Sequence, residues 1–483
     1  MLTSPVPSRL FRLLSALTLL CGLIPKPARC QQFPTEQLQA LLSSPELQHA
    51  SVGVLVRRVG DGALLFALNP NALLVPASNV KLFTSAAALD AFGPDRRFAT
   101  TVLANGRVRN RRLYGNLYLR GGGDPSLDGN GLAALAAKVR ACGIRVVVGD
   151  LVVDEGLFAG PSLGAGWSWE DEAWYYAAPA SALSLDGNAV QLTVAPGASQ
   201  TQPPVVTLSA EQPICIASNH ASTAPKGAPL TLQVEVEHHS HAVSLSGAIP
   251  IGAEPVVERL AVPRPAVFAA QTLRKALARR GIRVTGRIRQ GRTPAAAHQL
   301  TALQSPPLRQ LLAAMNKASD NLKAEVFLRL LGLADGQTRG GASAASGLRR
   351  EMSFLNHIGI GEDELILVDG SGLSRLNLAT PDAIVRLLVS MWSHRYGGVW
   401  RSSLPVAGVD GTLRRRMVGT PAQGRVFAKT GYLSHVSALS GYVERPDGEE
   451  LAFSMLVNNF ACPVARVKAI QDAVCGLLAS YGQ

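Results

Sequence analysis

The sequence predicts an α/β domain, helices and strands mixed in the α+β manner, interrupted by a large β-rich insertion. Three observations carry this reading. At 483 residues the chain is longer than one ordinary domain. Both ends show helix-period and strand-period patterns. The middle, from about Arg97 to Val257, consists of short β-type runs divided by Gly, Pro and Asn. An early helix and late strands separated by such a stretch fit one domain whose chain leaves and returns. The expected division is 1–30 as a leader, 31–96 with 258–483 as the discontinuous domain, and 97–257 as the insertion, in two subdomains.

The leader comes first. Arg9 and Arg12 precede an apolar run from Leu13 to Ile24, and Ala28-Arg29-Cys30 offers a cleavage zone before Gln31. This is the order of a secretory signal, and the run is too short to span a bilayer comfortably. Cys21 follows "TLL", which lacks the small residue that precedes a lipidated cysteine. No later segment is apolar enough to cross a membrane, so the mature protein is expected to be secreted, in the periplasm, with no transmembrane anchor.

From Gln31 the pattern gives a helix, two strands around "GVLVRRVGDGALLFALNP" and a helix that begins near Ser78. The middle supplies strands such as "RLYGNLYLRGG" and "LTLQVEVEHHSHAVSLSG", with one clear helix over Gly129 to Ile144. Helical patterns return at "PAVFAAQTLRKALARRGI" and "SPPLRQLLAAMNKASDNLKAEVFLRLLG". The C-terminal part adds strands "GRVFAKTG", "VSALSGYVERPDG" and "ELAFSMLVNNF", then an amphipathic helix, "PVARVKAIQDAVCGLLASYG".

Composition is that of a globular protein, 47% hydrophobic and 17% charged. Formal charge is +13, of which the leader holds four positive charges. No zinc, helix-turn-helix or RNA-binding motif accompanies the basic clusters, so nucleic acid is not an expected partner. Four cysteines remain after cleavage: Cys142, Cys215, Cys462 and Cys475. They allow three full pairings, with Cys462 and Cys475 the pair to test first. In "EHHSH", His239 and His241 share a strand face, but no further ligand is apparent, and an exposed strand is the reading over a metal site. "GGGD" at Gly121 to Asp124 is no phosphate loop, because no Gly-Lys-Ser/Thr follows.

Chemistry enters with Ser78 and Lys81. At a helix start the i, i+3 spacing puts both side chains on one face, and the positive helix end favours an alkoxide-like oxygen. A lysine becomes a base only if burial or a second cation lowers its pKa. Alone, the pair also fits an N-cap serine with a solvent-facing lysine. Ser319-Asp320-Asn321 follows in a helix-forming stretch where polar residues are poor interior choices. Lys429-Thr430-Gly431 lies on an expected strand and supplies a second cation, a hydroxyl and room for substrate backbone. S-x-x-K, S-D-N and K-T-G in this order mark a serine acyl-transfer site.

With these motifs the chain resembles the class C low-molecular-mass penicillin-binding proteins, the D-alanyl-D-alanine carboxypeptidase/endopeptidase family. The resemblance spans nearly the whole mature chain and includes "GNLYLRGGGDPSL", "YYAAPASALSLDGN" and "VDGSGLSR". It implies a serine transpeptidase/β-lactamase-like domain with its insertion between Ser78 and Ser319. It also implies hydrolysis of D-alanyl-D-alanine in peptidoglycan stem peptides through an acyl-enzyme, with β-lactam antibiotics as inhibitors and no metal or organic cofactor. Ser78 would be the nucleophile and Lys81 its base. Ser319 and Asn321 would move protons and orient substrate, and Lys429 and Thr430 would bind the substrate carboxylate. Gly431 gives substrate access, and the backbone N–H groups of Ser78 and Tyr432 would form the oxyanion hole. Arg375 resembles an arginine at the carboxylate end of the cleft, or else braces its loop. Asp171 and Tyr176 match residues that hold the amino end of a diaminopimelic acid side chain, or else belong to an acidic surface loop. One departure stands out: Tyr432 replaces the usual serine or threonine after Lys-Thr-Gly. Two other readings stay open, a β-lactamase and a catalytically weak cell-wall scaffold. The first needs a deacylating glutamate of the class A kind, for which no clear counterpart is present. The second draws on Tyr432 and on an insertion large enough to dock partners.

Overall fold

The computed structural model describes residues 1, 33–210, 214–237, 242–334 and 340–480. Past Met1 the expected leader, with Cys21 and Cys30, lies outside the described residues, as do His239 and His241. A five-stranded antiparallel sheet forms the centre, in the order Leu64–Leu68, Ser51–Arg58, Glu450–Asn458, Val436–Glu444, Val426–Leu433. The two ends of the chain therefore build one sheet, and the insertion leaves from its side. Val436–Glu444 and Glu450–Asn458 are buried almost throughout, because helices cover both faces. On one face lie Thr35–Leu42 and Val464–Ser480, around Phe66, Phe453 and Val474. Helices Val80–Phe92, Asn321–Leu331 and Pro381–Ser393 fill the other, around Phe83, Phe327, Trp400 and Tyr442.

The middle region forms separate sheets. One has the order Ile288–Gln290, Leu151–Asp154, Leu117–Arg120, Ala99–Ala104, His298–Gln304. A second joins Arg283–Val284 to Val146–Val148, and helix Pro265–Arg279 packs on Gly129–Ala141. These pairings carry the middle region on to Gln304, past the expected return at Glu258, and the expected boundary cuts through strand Val256–Ala261. The physical reason is that an amphipathic helix shows which face it buries but not which core it joins. Smaller sheets gather around Ala189–Ala195 and Ala242–Ser246. One apolar cluster, including Leu119, Leu192, Val243 and Leu273, runs through both groups.

Three local features shape the site. First, the chain reaches helix Val80–Phe92 through a 3₁₀ turn, Ala77–Asn79. Ser78 thus lies just before the helix rather than opening it. Ala77 holds φ +46, a strained value for a residue with a Cβ. Asn458, on the last strand of the chain, clasps this approach: its Oδ1 accepts from the Val75 N–H at 2.7 Å and its Nδ2 donates to the Val75 carbonyl at 3.1 Å. Second, Leu308–Ala318 and Asn321–Leu331 are two helices broken at Ser319, which takes a left-handed conformation (φ +58). Asp320 caps the second helix by accepting from the Lys323 N–H at 3.0 Å. Ser319-Asp320-Asn321 is therefore the corner of a helix hairpin, which explains its poor helix propensity. Third, the four cysteines are free. Cys475 faces the core from its helix while Cys462 is only partly buried, so the pair nearest in sequence is not joined.

Candidate active site

In a 3₁₀ turn residues three apart eclipse, and the turn before the helix brings the Lys81 Nζ to 2.9 Å from the Ser78 Oγ. Lys81 is fully buried. Its nitrogen also donates to the Asn321 Oδ1 and to the Ser371 carbonyl, each at 2.6 Å. Both of these oxygens can only accept. They take two hydrogens of the nitrogen, and the third position faces the Ser78 Oγ: the ammonium donates there, and once it loses that proton its lone pair lies at the Ser78 hydroxyl. Burial pushes the Lys81 amine down to about 8, against the pull of the Asp369, Asp320 and Glu325 carboxylates. The arrangement can hold a base and a nucleophile in contact before substrate arrives.

Asn321 is itself oriented. Its Nδ2 donates to the Tyr176 carbonyl at 2.7 Å, which leaves Oδ1 for Lys81. Tyr176 belongs to the inserted region, so one backbone oxygen of the insertion sets an amide of the catalytic domain. Across from this pair, Lys429 donates to the Ser319 Oγ and to the Thr430 carbonyl, both at 2.8 Å. Burial, and then the charge of Lys81, push Lys429 well below the usual lysine range. Asn79 ties the two motifs together by donating to the Lys429 carbonyl at 3.1 Å.

A cleft of about 600 Å³ opens above these groups, bordered by Ser78, Ser319, Asn321, Arg375, Tyr432 and Asp171. The structure thus brings Ser78, Lys81, Ser319, Asn321 and Lys429 together and places the remaining expected residues around them. The Thr430 hydroxyl donates to that of Thr412 at 2.8 Å. A Cβ on Gly431 would stand 2.7 Å from the Pro76 carbonyl, so only glycine lets the strand approach the nucleophile turn. Tyr432 is 56% exposed, and the Lys468 Nζ lies 5.3 Å from its ring centre. Arg375 donates to the Ser434 carbonyl at 2.5 Å, so it braces the loop while it lines the cleft. The Asp171 Oδ1 accepts from the Tyr176 hydroxyl at 3.0 Å.

Sequence reasoning missed the turn behind Lys81. Gly372 holds φ +78, and a Cβ there would fall 1.9 Å from the Ala77 carbonyl, so glycine is required where this turn abuts the nucleophile. Asp369 fixes the turn by accepting from the Gly372 and Ser374 N–H groups at 2.7 and 2.8 Å and from the Trp167 indole at 2.9 Å. "VDGSGLSR" signalled the segment, but a backbone carbonyl that contacts Lys81 has no signature of its own.

Comparison with known proteins supplies the context. The model of the D-Ala-D-Ala carboxypeptidase 3 (S13) family matches residues 34–481. A D-alanyl-D-alanine carboxypeptidase of Actinomadura sp. (strain R39) is 38% identical over 460 residues, 92% of this chain and 84% of the relative. The crystal structure of penicillin binding protein 4 (dacB) from Haemophilus influenzae superposes with a TM-score of 0.83 at 28% identity, over 92% of this chain and 99% of that one. The same Haemophilus protein complexed with a β-lactam gives a TM-score of 0.77 at 26% identity, with the same coverage.

Proposed function

The chain belongs to the D-Ala-D-Ala carboxypeptidase 3 (S13) family and is a serine-type D-alanyl-D-alanine carboxypeptidase, and from that premise we propose how its residues perform the reaction. The observation that carries the assignment is the buried Lys81 nitrogen, held by two acceptors and 2.9 Å from the Ser78 Oγ. Lys81 takes the Ser78 proton as Oγ attacks the carbonyl carbon of the penultimate D-alanine. The backbone N–H groups of Ser78 and Tyr432 receive the oxyanion. As the peptide C–N bond breaks, Lys81 returns that proton by way of Ser319, held by Lys429, to the departing amine of the terminal D-alanine and is neutral again. Water then attacks the ester, Lys81 accepts its proton, and Ser78 regains a hydroxyl. The terminal carboxylate lies toward Lys429, Thr430 and Arg375, where positive charge and a hydroxyl meet it.

We extend the substrate to peptidoglycan stem peptides and to D-alanyl-diaminopimelate cross-links. Asp171 at the cleft wall offers a carboxylate to the ammonium of diaminopimelate. β-Lactams enter as substrates that acylate Ser78 and stay. Among the described residues no helix is long and apolar enough to cross a membrane, and the Arg9–Ile24 leader supports export to the periplasm.

Labelling the signal-free protein with a fluorescent penicillin tests the assignment. A stable adduct located by mass spectrometry on the peptide that holds Ser78 is expected. An unlabelled protein that consumes penicillin would instead be a β-lactamase, and one that neither labels nor consumes it would be a scaffold.

The pH dependence follows from Lys81. Its neutral form is the base, so acylation is absent at low pH and rises as pH climbs through about 8. Below that value the second-order rate of penicillin acylation should rise roughly tenfold per pH unit and then level off. A rate that stays constant between pH 6 and 9 would remove Lys81 as the base.

A further inference from the structure

Behind the turn that touches Lys81 lies a buried carboxylate outside the cleft. The Glu325 Oε1 accepts from the Gly370 N–H at 2.9 Å and the Ser371 N–H at 3.1 Å, and its Oε2 accepts from the Arg329 Nη1 at 3.0 Å. Glu325 and Arg329 are 0% and 1% exposed. Burial, and then the Asp369 charge, push the Glu325 carboxyl up, while the Arg329 charge and these donors hold its ionised form against them. All three partners are donors, so a protonated carboxyl would have no neighbour here to receive its proton. The Ser371 whose N–H it holds is the same residue whose carbonyl receives Lys81 at 2.6 Å. One residue, Ser371, therefore links Glu325 to the Lys81 contact.

We propose that Glu325 is the positioning residue of the catalytic base: through the Gly370–Ser371 turn it fixes the carbonyl that orients the Lys81 amine toward Ser78, and its charge sets how readily that amine gives up its proton. This rests on the assignment of Lys81 as the base. A buried ion pair is weak evidence for stability, since an apolar pair of similar volume often serves as well. The clamp on the turn gives the pair a reason to exist. Arg329 adds a link to the inserted region by donating to the Pro161 carbonyl at 2.9 Å.

A neighbouring carboxyl, Glu351, bears on the charge beside Glu325 and Asp369. The Thr84 hydroxyl, one helical turn beyond Lys81, lies 2.9 Å from the Gly370 carbonyl and 3.2 Å from the Glu351 Oε1. Thr84 has one hydrogen, and the carbonyl can only accept it, so the second bond forms when Glu351 is protonated and donates. Burial pushes the Glu351 carboxyl up to about 8, in keeping with that count. The titratable groups around Lys81 are then Glu325 and Asp320 from helix Asn321–Leu331 and its cap, Asp369 from the turn, and Lys429 from the edge strand, with Glu351, neutral below about pH 8, behind.

Two variants separate the clamp from the charge. Glu325→Gln keeps an oxygen for both N–H groups but loses the charge, so the Lys81 ammonium is less favoured. The acid limb of penicillin acylation should move to lower pH by about half a unit or more, with its plateau within about threefold of the parent. Glu325→Asp keeps the charge but draws the carboxylate back from the turn. Its plateau should fall about tenfold or more while the limb stays in place and the substrate KM is unchanged. A purely structural role would lower the yield of folded protein and leave both the profile and the plateau per folded molecule alone, which overturns the proposal. Should the Gln variant fail to fold, an Asp variant with the parental plateau overturns it by itself. Penicillin labelling of Ser78 in the parent checks the underlying assignment separately.

Discussion

A Ser78→Ala variant folds like its parent, forms no covalent adduct with penicillin, and releases D-alanine from a stem peptide on the order of 10⁴-fold more slowly, or not at all. The change removes one half-buried hydroxyl and adds no bulk. Lys81 keeps its bonds to Asn321 and Ser371, and the Lys429–Ser319 pair is untouched, so the cleft survives. Loss should therefore fall on the chemical step and not on recognition. Calorimetric titration with the stem peptide should give parental affinity, and gel fluorescence should show no labelled band. A labelled band of parental intensity from the variant would place the nucleophile elsewhere.

Lys81→Met has the second largest expected effect, a loss of about 10³–10⁴-fold in acylation, the upper range for a general base. Methionine is apolar and of similar length, so it fills the buried site without a charge to desolvate. It leaves the Asn321 Oδ1 and the Ser371 carbonyl without their donor, at about 1–3 kcal/mol each, partly offset by removal of the buried amine. The variant should remain folded, and the pH dependence through 8 should vanish along with the rate. Stopped-flow acylation at pH 6 to 9 measures both at once. A variant that keeps a tenth of the parental rate with the same pH limb would transfer the role of base to another group, with Lys429 the nearest buried amine.

Much of the site was legible in the chain because its chemistry needs particular side chains at particular spacings. Ser78 and Lys81 are three apart, Ser319 and Asn321 interrupt a helical pattern, and Lys429 opens a motif on a strand. The central sheet was legible in outline, since "GRVFAKTG", "VSALSGYVERPDG" and "ELAFSMLVNNF" read as strands. Other features were not legible for physical reasons. Strand His298–Gln304 pairs with Ala99–Ala104, a partnership across some two hundred positions that no local pattern records. Glu325 reads as an ordinary helical glutamate until its neighbours are known. Tyr176 was expected for its side chain, yet its carbonyl is what reaches Asn321. Every residue has a carbonyl, so sequence cannot single one out.

The Asn458 clasp on Val75 joins positions 383 residues apart, and this has a consequence for the birth of the enzyme. A ribosome delivers Ser78 long before Asn458. Through most of synthesis the nascent polypeptide holds its serine and first lysine without the strand that seats them or the second lysine opposite. The intervening region, whose sheets close among themselves, can fold while it waits. Assembly of the site thus waits for distant parts of the chain, and a product released before Lys429 and Asn458 lacks both the second buried amine and the clasp on the Ser78 turn.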